Sequence, residues 1–399
     1  MSLTRVVTSL AAFALVAADA AAQRLPVPQR RDSAGVKIVE YETIKTSIPA
    51  FTIDRRLLSD VGGLRDDPND EIESKTGYEV AVRFADGKIA VAENYTVRVL
   101  NSSGKFVRLL GARGGGPGEF NSQIVAMCLI RGDTLIVRDG SRRIAIFDSA
   151  GRHVVSSTGD ATALGGCLLD GTMVAQARQA GGSGRGAAGA PPSLERQYAT
   201  LVRLDRTGKA VDTVGTFPSS LGMAFGLVEQ IFAVALQGER VIVDNANTPE
   251  VKIYSLTGKL AMIIRWRDPV MRVTQELAEG LANARIPLND PNRKQRVEQM
   301  LSRPYPPTLP VYSGFFVDRE QRIWLRDPFP LPGATEWKLA WTIFTADGTL
   351  LGRYEPPADP VGRKMVTDAG KDFVVVRVYD REQGVRVLTQ AISPARSDR

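Results

Sequence analysis

A strand pattern that recurs along the chain restricts the possible folds more than any other feature of the sequence. Each copy contains two short runs of alternating apolar residues, and the second run ends in a glycine turn. The clearest turn glycines are Gly104, Gly151, Gly208, Gly258 and Gly348, separated by 47, 57, 50 and 90 residues. Alternation with a period of two predicts half-buried β-strands, and glycine supplies the positive φ that tight hairpin turns require. The sequence is therefore a repeat of β-hairpins.

A repeat of about 45–50 residues made of short strands is typical of the blades of a β-propeller. Six copies can be traced, the sixth more weakly than the others. We therefore predict an all-β protein, a six-bladed β-propeller of four-stranded antiparallel blades over residues 32–392, with a short tail at 393–399. No copy can bury both of its faces alone, so the ring must close as one domain. The last copy has only three strands of its own, and we predict that residues 36–41 supply the fourth.

The first 22 residues have the pattern of a secretory signal peptide. Arg5 precedes an apolar run at 6–18, and small residues follow up to Ala22, where cleavage is expected. The run is shorter than the ~20 residues that span a bilayer, and no longer apolar run follows. The pattern predicts a periplasmic or secreted protein without a membrane span. The alternative is an N-terminal anchor or core helix.

Charge and composition exclude several classes of function. The formal net charge of +7 is spread over the 399 residues without a block of Lys or Arg, which argues against binding of nucleic acid. One histidine and two cysteines exclude multi-histidine metal sites and four-cysteine zinc sites. We expect a monomer.

The longest connections all fall on one predicted face of the ring, which carries the loops between the second and third strands of a blade and the loops between blades. They are residues 111–120, the Gly-rich residues 178–193, and an insertion at 267–310 between blades 4 and 5. The insertion is predicted to hold two short helices, one from the cap Thr274 to Arg285 and one from Asp290 to about Ser302. One interpretation is a lid over the central channel, with Arg293 and Arg296 facing outward; the other is an insert that packs over a blade edge.

Acids recur at the ends of the second strands, at the rim of the same face. These residues are Glu93, Asp139, Asp244 and Asp327, and two are followed by an amide, Asn94 and Asn245. Carboxylate and amide oxygens are the ligands of Ca²⁺, so one hypothesis is a Ca²⁺-type site. The other is that each acid caps the backbone amides of its own loop, which suits a regular recurrence better.

Two further features leave alternatives open. Cys128 and Cys167 occupy similar positions in the first strands of blades 2 and 3, so they form either a disulfide, which export permits, or two small buried residues. The glycine-rich loop 111–120 offers either a nest of backbone N–H groups for an anion, with Arg113 beside it, or a tight turn between blades.

The segment Leu-Gly-Ala-Arg-Gly-Gly-Gly-Pro-Gly-Glu-Phe at 110–120, and the opening residues 32–40, resemble six-bladed propellers of the NHL or TolB-like type, especially exported bacterial members. The resemblance covers about residues 32–392. It implies a binding platform or ligand sensor and, in some members, a hydrolase or lyase. We therefore expect a binding or scaffold protein that recognises a peptide, glycan or protein partner in the cell envelope, without a cofactor. The alternative is a metal-dependent, lactonase-like hydrolase that uses the rim carboxylates and Ca²⁺.

Overall fold

The structure is a computed structural model that describes residues 24–73, 80–178, 196–221, 232–328, 339–357, 362–380 and 382–395. The predicted signal peptide at 1–22 lies outside the described residues. So do nearly all of the Gly-rich loop 178–193 and the last four residues of the predicted tail 393–399.

Strands dominate the fold. The chain begins with β1 (Gln29–Ser33), β2 (Val36–Tyr41) and β3 (Phe51–Gly62). Blade 1 contains β4 (Ala81–Arg83), β5 (Ile89–Glu93), β6 (Thr96–Leu100) and β7 (Phe106–Leu110). Blade 2 contains β8 (Ile124–Ile130), β9 (Thr134–Asp139), β10 (Arg143–Phe147) and β11 (His153–Thr158). Blade 3 contains β12 (Ala161–Cys167), β13 (Met173–Ala177), β14 (Arg196–Leu204) and β15 (Ala210–Leu221).

The second half of the ring has the same plan. Blade 4 contains β16 (Ala233–Gln237), β17 (Arg240–Asp244), β18 (Glu250–Ser255) and β19 (Leu260–Trp266). Blade 5 contains β20 (Gly314–Val317), β21 (Ile323–Arg326), β22 (Trp341–Phe344) and β23 (Leu350–Tyr354). Blade 6 contains β24 (Arg363–Ala369), β25 (Phe373–Asp380) and β26 (Gly384–Pro394), completed by β3. These six antiparallel sheets confirm the predicted six-bladed propeller.

The prediction for the closing strand was wrong. The fourth strand of blade 6 is β3, which pairs antiparallel with β26 from Arg386↔Gly62 to Pro394↔Phe51. The predicted strand β2 instead pairs parallel with β19 and, with β1, extends blade 4 to six strands. The physical reason is length, since β26 has eleven residues, β3 has twelve and β2 only six.

Apolar side chains on both faces of each blade form the core between blades. Each pair of neighbouring blades shares one buried cluster among the described residues, including the pair formed by blades 6 and 1. In blade 2, for example, Val137 packs toward blade 1 and Ile136 toward blade 3, as the alternation of a strand requires. The core is therefore a ring.

Two helices lie in the insertion between blades 4 and 5. The first, α1 (Gln275–Arg285), begins at the predicted cap, where the Thr274 hydroxyl accepts a hydrogen bond from the Leu277 amide. Its most buried residues are Ala278 and Ala282. The second helix, α2 (Arg293–Leu301), has its cap at Asn292, two residues later than the predicted cap Asp290.

Candidate functional site

The insertion stands on a paired stem of backbone at the loop-bearing face of the ring. Arg272 and Thr308 form an antiparallel bridge. The Val273 amide donates to the Pro307 carbonyl at 2.9 Å, and the Leu309 amide donates to the Met271 carbonyl at 2.9 Å. We call residues 271–273 and 307–309 the neck. Its pairing fixes where the two helices leave the ring and return to it.

The helices pack mainly on each other. Ala278 and Ala282 are fully buried, and apolar side chains of α1, α2 and the neck surround them. Arg293 Nη2 donates to the Asn283 carbonyl at 3.0 Å, and Arg296 pairs with Asp290. These described contacts of Arg293 and Arg296 lie inside the insertion, so the structure does not bring them to the rim acids.

A cavity of about 470 Å³ lies at the foot of the neck, between blades 4 and 5. Residues from five separate parts of the chain enclose it: the segment after β2, the end of β19 with the neck, the start of blade 5, the end of β21, and β22 with β23. The lining residues are Ile44, Lys45, Trp266, Asp268, Pro269, Met271, Leu309, Pro310, Val311, Tyr312, Leu325, Arg326, Asp327, Pro328, Thr342 and Arg353. Of the rim acids, Asp327 belongs to this cavity.

Apolar and aromatic groups make up most of its walls. The rings of Trp266 and Tyr312 have centroids 6.4 Å apart, and Tyr312 meets the ring of Phe315 edge-on at 6.2 Å. Backbone hydrogen bonds hold this wall in place, because the Val311 amide donates to the Ala246 carbonyl at 2.9 Å. The wall is thus a fixed part of the junction between the two blades.

The charged groups of the cavity have partners within the protein. The Asp327 carboxylate accepts hydrogen bonds from both terminal nitrogens of Arg353, one of them at 3.1 Å. Burial raises the pKa of Asp327, and the Arg353 guanidinium opposes that shift. Asp268 accepts a hydrogen bond from the Thr43 hydroxyl at 2.8 Å. Arg326 Nε donates to the Ser313 hydroxyl at 2.6 Å.

A second acid lies behind the aromatic wall. Asp244, 7% exposed, accepts hydrogen bonds from the amides of Asn245 at 2.7 Å and Ala246 at 2.9 Å. Burial raises its pKa to about 6. The Tyr312 hydroxyl lies beside this carboxyl without a hydrogen bond of good geometry, and burial raises the pKa of that phenol well above its usual value. The Asp244 carboxyl therefore lies behind the part of the cavity wall that Tyr312 forms.

The other two rim acids have local structural partners. Glu93 accepts hydrogen bonds from Arg98 Nε at 2.8 Å and from the Glu73 amide at 2.9 Å. Burial raises the pKa of Glu93, and Arg98 opposes the shift. Asp139, 0% exposed, accepts hydrogen bonds from the amides of Asn121, Ser122 and Arg143 at 2.8–3.0 Å. For Asp139, these hydrogen bonds from backbone amides are the capping role considered in the sequence analysis.

The rim acids do not converge on one point. Within the described ranges, no group of three or more His, Cys, Asp or Glu side chains could hold a metal ion. The two amides also have turn roles: Asn94 has a φ of 44° and its carbonyl accepts from the Ile124 amide at 2.6 Å, while the Asn245 side chain accepts from the Asn247 amide at 3.3 Å. The geometry therefore gives the Ca²⁺ hypothesis no shared site among these residues.

The glycine-rich loop binds its own carboxylate. Glu119 Oε2 accepts a hydrogen bond from the Gly116 amide at 2.7 Å, and Phe120 is fully buried between blades 1 and 2. The Arg113 guanidinium lies 5.1 Å from the centroid of the Tyr95 ring. The loop is thus a turn between blades, and Glu119 occupies amides that an external anion would need.

Cys128 and Cys167 form a disulfide between β8 and β12, with Cα atoms 6.0 Å apart. The bond joins the first strands of blades 2 and 3. It lies in a different part of the ring from the cavity between blades 4 and 5, so we treat it as a structural link and not as part of the candidate site.

Most of the cavity could not be found from sequence. Its lining runs from Ile44 to Arg353, and no motif connects these segments. The available signals were Asp327 at a strand end and the insertion itself. Trp266, Tyr312 and Arg353 carried none, since an aromatic or Arg beside a strand is an ordinary core or surface residue.

Solved structures with the same fold exist, although no protein-family model and no curated protein matches the chain. A Bacteroides fragilis NCTC 9343 protein described as exported matches with a TM-score of 0.50 at 10% identity, over 90% of this chain and 99% of that one. A member of the DUF4221 family from Bacteroides vulgatus ATCC 8482 matches with a TM-score of 0.51 at 9% identity, over 86% and 98%. At these identities the similarity shows the fold alone.

Proposed function

We propose that this protein is an exported propeller that binds a peptide, glycan or protein partner on its loop-bearing face. The observation that carries the proposal is the cavity of about 470 Å³ at the foot of the insertion. Cavities of this size with apolar walls and a few polar groups are the usual form of a ligand site. The insertion beside it has its own small core and a fixed neck, as a part of a binding surface requires.

Export is the second part of the proposal. The N-terminal pattern of Arg5, an apolar run and Ala22 supports it. In the part of the chain that the structure describes, no helix is long and apolar enough to cross a membrane.

The geometry favours binding over the lactonase-like alternative. A metal-dependent hydrolase needs several oxygen ligands around one ion. Here Glu93 and Asp139 accept hydrogen bonds from backbone amides in the segments that precede their blades, and Asp327 is paired with Arg353. These acids are thus engaged separately, each in its own blade.

The test removes the insertion and retains the ring. Residues 274–306 are replaced by a four-residue Gly-Ser linker, since the neck already brings Arg272 and Thr308 together. Capture of partners from the envelope fraction of the native host is compared by quantitative mass spectrometry for both proteins. We expect the shortened protein to keep a cooperative melting transition and to lose the partners that the full chain captures.

A matched control places a change on the opposite face. Leu169, 62% exposed, follows β12 in a turn on that face, and Leu169→Arg should capture the same partners as the unchanged protein. If capture survives removal of the insertion but is lost in Leu169→Arg, the binding surface lies on the opposite face of the ring. That result would contradict the proposal.

A further inference from the structure

We propose that the cavity between blades 4 and 5 is selective for an uncharged, largely apolar small molecule. This inference rests on the proposed binding function of the loop-bearing face and goes beyond it, because it assigns the cavity itself a small-molecule ligand in addition to the partner. Two independent observations carry it, the apolar composition of the walls and the internal pairing of the charges at the cavity.

The walls offer contact area to an apolar molecule. Trp266, Leu309, Val311 and Leu325 contribute side chains from both blades and from the neck. Met271, 47% exposed, lies at the neck beside them. Burying such surface against a ligand is favourable by roughly 25 cal/mol for each Å² removed from water. A glycan would gain less, because its hydroxyl groups need many polar partners when they leave water.

Two acids at the cavity are already paired with a base, and the Arg326 guanidinium donates to the Ser313 hydroxyl and carbonyl. Arg353 gives both terminal nitrogens to Asp327 and its Nε to Glu355 at 3.1 Å. Lys45 Nζ lies 3.9 Å from Asp268. An anionic ligand would compete with Asp327 for Arg353, and a cationic ligand would compete with Arg353 for Asp327. Either would leave a partly buried charge without its partner, which is costly. A neutral ligand leaves the Asp327–Arg353 pair intact.

The experiment measures binding of fluorescent probes that differ in charge. Nile red is neutral and apolar, 1-anilinonaphthalene-8-sulfonate is an apolar anion, and thioflavin T is an apolar cation. We expect the unchanged protein to bind one equivalent of Nile red, at least tenfold more tightly than either charged probe. Absence of saturable Nile red binding, or equal affinity for a charged probe, would overturn the inference.

Two arginine substitutions on the insertion locate the probe. Met271→Arg places a cation at the cavity wall and should weaken Nile red binding at least tenfold. Leu288→Arg makes the same change at a site that is 89% exposed and outside the cavity lining, and should leave the affinity unchanged. If Met271→Arg binds Nile red as tightly as Leu288→Arg does, the probe is elsewhere and the inference is wrong. Melting temperatures of both variants verify the fold.

A third variant tests the role of charge pairing. Asp327→Asn removes the carboxylate and leaves the Arg353 guanidinium available, so the affinity for the anionic probe should rise roughly tenfold, the value of a charge-assisted hydrogen bond. No change in the anion's affinity would contradict the argument from pairing. Measuring partner capture distinguishes failure of this inference from failure of the proposed function. If capture is intact and Nile red does not bind, the proposed function stands and the ligand class is wrong.

Discussion

Buried carboxyl groups at the ends of inner strands give the molecule a distinctive response to pH. Asp244 has a folded-state pKa of about 6 against an ordinary value of 3.8, because burial penalises the charged form. The folded chain thus binds more protons than the unfolded chain between these two values. By linkage, the contribution of Asp244 to the free energy of unfolding falls as pH rises from about 4 to about 6. The shift corresponds to about 3 kcal/mol.

The Asp244→Asn variant should lose that part of the pH dependence. Its amide oxygen can still accept from the amides of Asn245 and Ala246, while no charge forms in the interior. We expect its stability relative to the unchanged protein to increase from pH 4 to pH 6.5, by about 1–3 kcal/mol. Urea unfolding at a series of pH values measures this difference.

Asp148→Asn is the control with the opposite sign. Hydrogen bonds from Arg152 lower the pKa of Asp148, so removing that carboxyl should cost stability at neutral pH and cost less at low pH. If Asp244→Asn and the unchanged protein show parallel curves, the carboxyl of Asp244 does not have a raised pKa.

At the scale of single residues, the sequence predicted where the strand-end acids lie better than it predicted which groups they contact. The strand-end acids could be located because each follows an alternating run, and their capping role could be proposed from their recurrence. The raised pKa of Asp244 could not be predicted, since its cause is burial of the carboxyl in the folded protein, which the local sequence does not show; the Tyr312 hydroxyl and two backbone amides oppose the shift.

At the scale of elements, the closing strand separates what a sequence pattern can and cannot predict. Residues 36–41 are mostly apolar, whereas β3 carries several charges, including Asp54 and Asp60. In the structure Asp60 pairs with Arg386 on the neighbouring strand, at 2.5 Å. The partner is more than 300 residues away, so the local pattern gives no sign that this charge suits a strand. The locally repeated hairpins, by contrast, were predictable because their turns and strands are neighbours in sequence.

Truncation distinguishes the two candidates for closure. A chain that starts at residue 43 lacks β1 and β2 but keeps β3, and should show one cooperative melting transition at a lower temperature. The loss includes the Tyr41 hydroxyl, which donates to the Gly348 carbonyl at 2.8 Å and accepts from the Leu350 amide at 2.7 Å. A chain that starts at residue 63 lacks β3 and should show no cooperative transition, because β26 becomes an open edge.

The reference for both is the chain that starts at residue 23. Differential scanning calorimetry and far-ultraviolet circular dichroism measure the transitions. Loss of the cooperative transition already in the chain from residue 43, with no further change in the chain from residue 63, would return the closing role to β2.

For the whole molecule, the ring-shaped core implies that distant blades unfold together. All four tryptophans lie between residues 266 and 341, so their fluorescence reports on blades 4 and 5. Ile136→Ala creates a cavity in the cluster between blades 2 and 3, across the ring. We expect this variant to lose about 2–5 kcal/mol, with tryptophan fluorescence and circular dichroism giving the same midpoint in urea.

Leu288→Ala is the matched control, since its side chain is 89% exposed and should leave the midpoint unchanged. If Ile136→Ala lowers the midpoint by circular dichroism while the tryptophan transition stays in place, the blades unfold independently and the core is not one cooperative unit.

The pairing of β3 with β26 also determines when the ring can close during synthesis of the chain. Its partner β26 spans Gly384–Pro394, so a ribosome must extend the chain more than 300 residues beyond β3 before blade 6 can be completed. Until then β3 lacks its partner strand, and pairing over such a sequence distance is slow. Closure of the ring is therefore a late event in folding, whereas the hairpins within blades 1–5 pair strands that are neighbours in sequence.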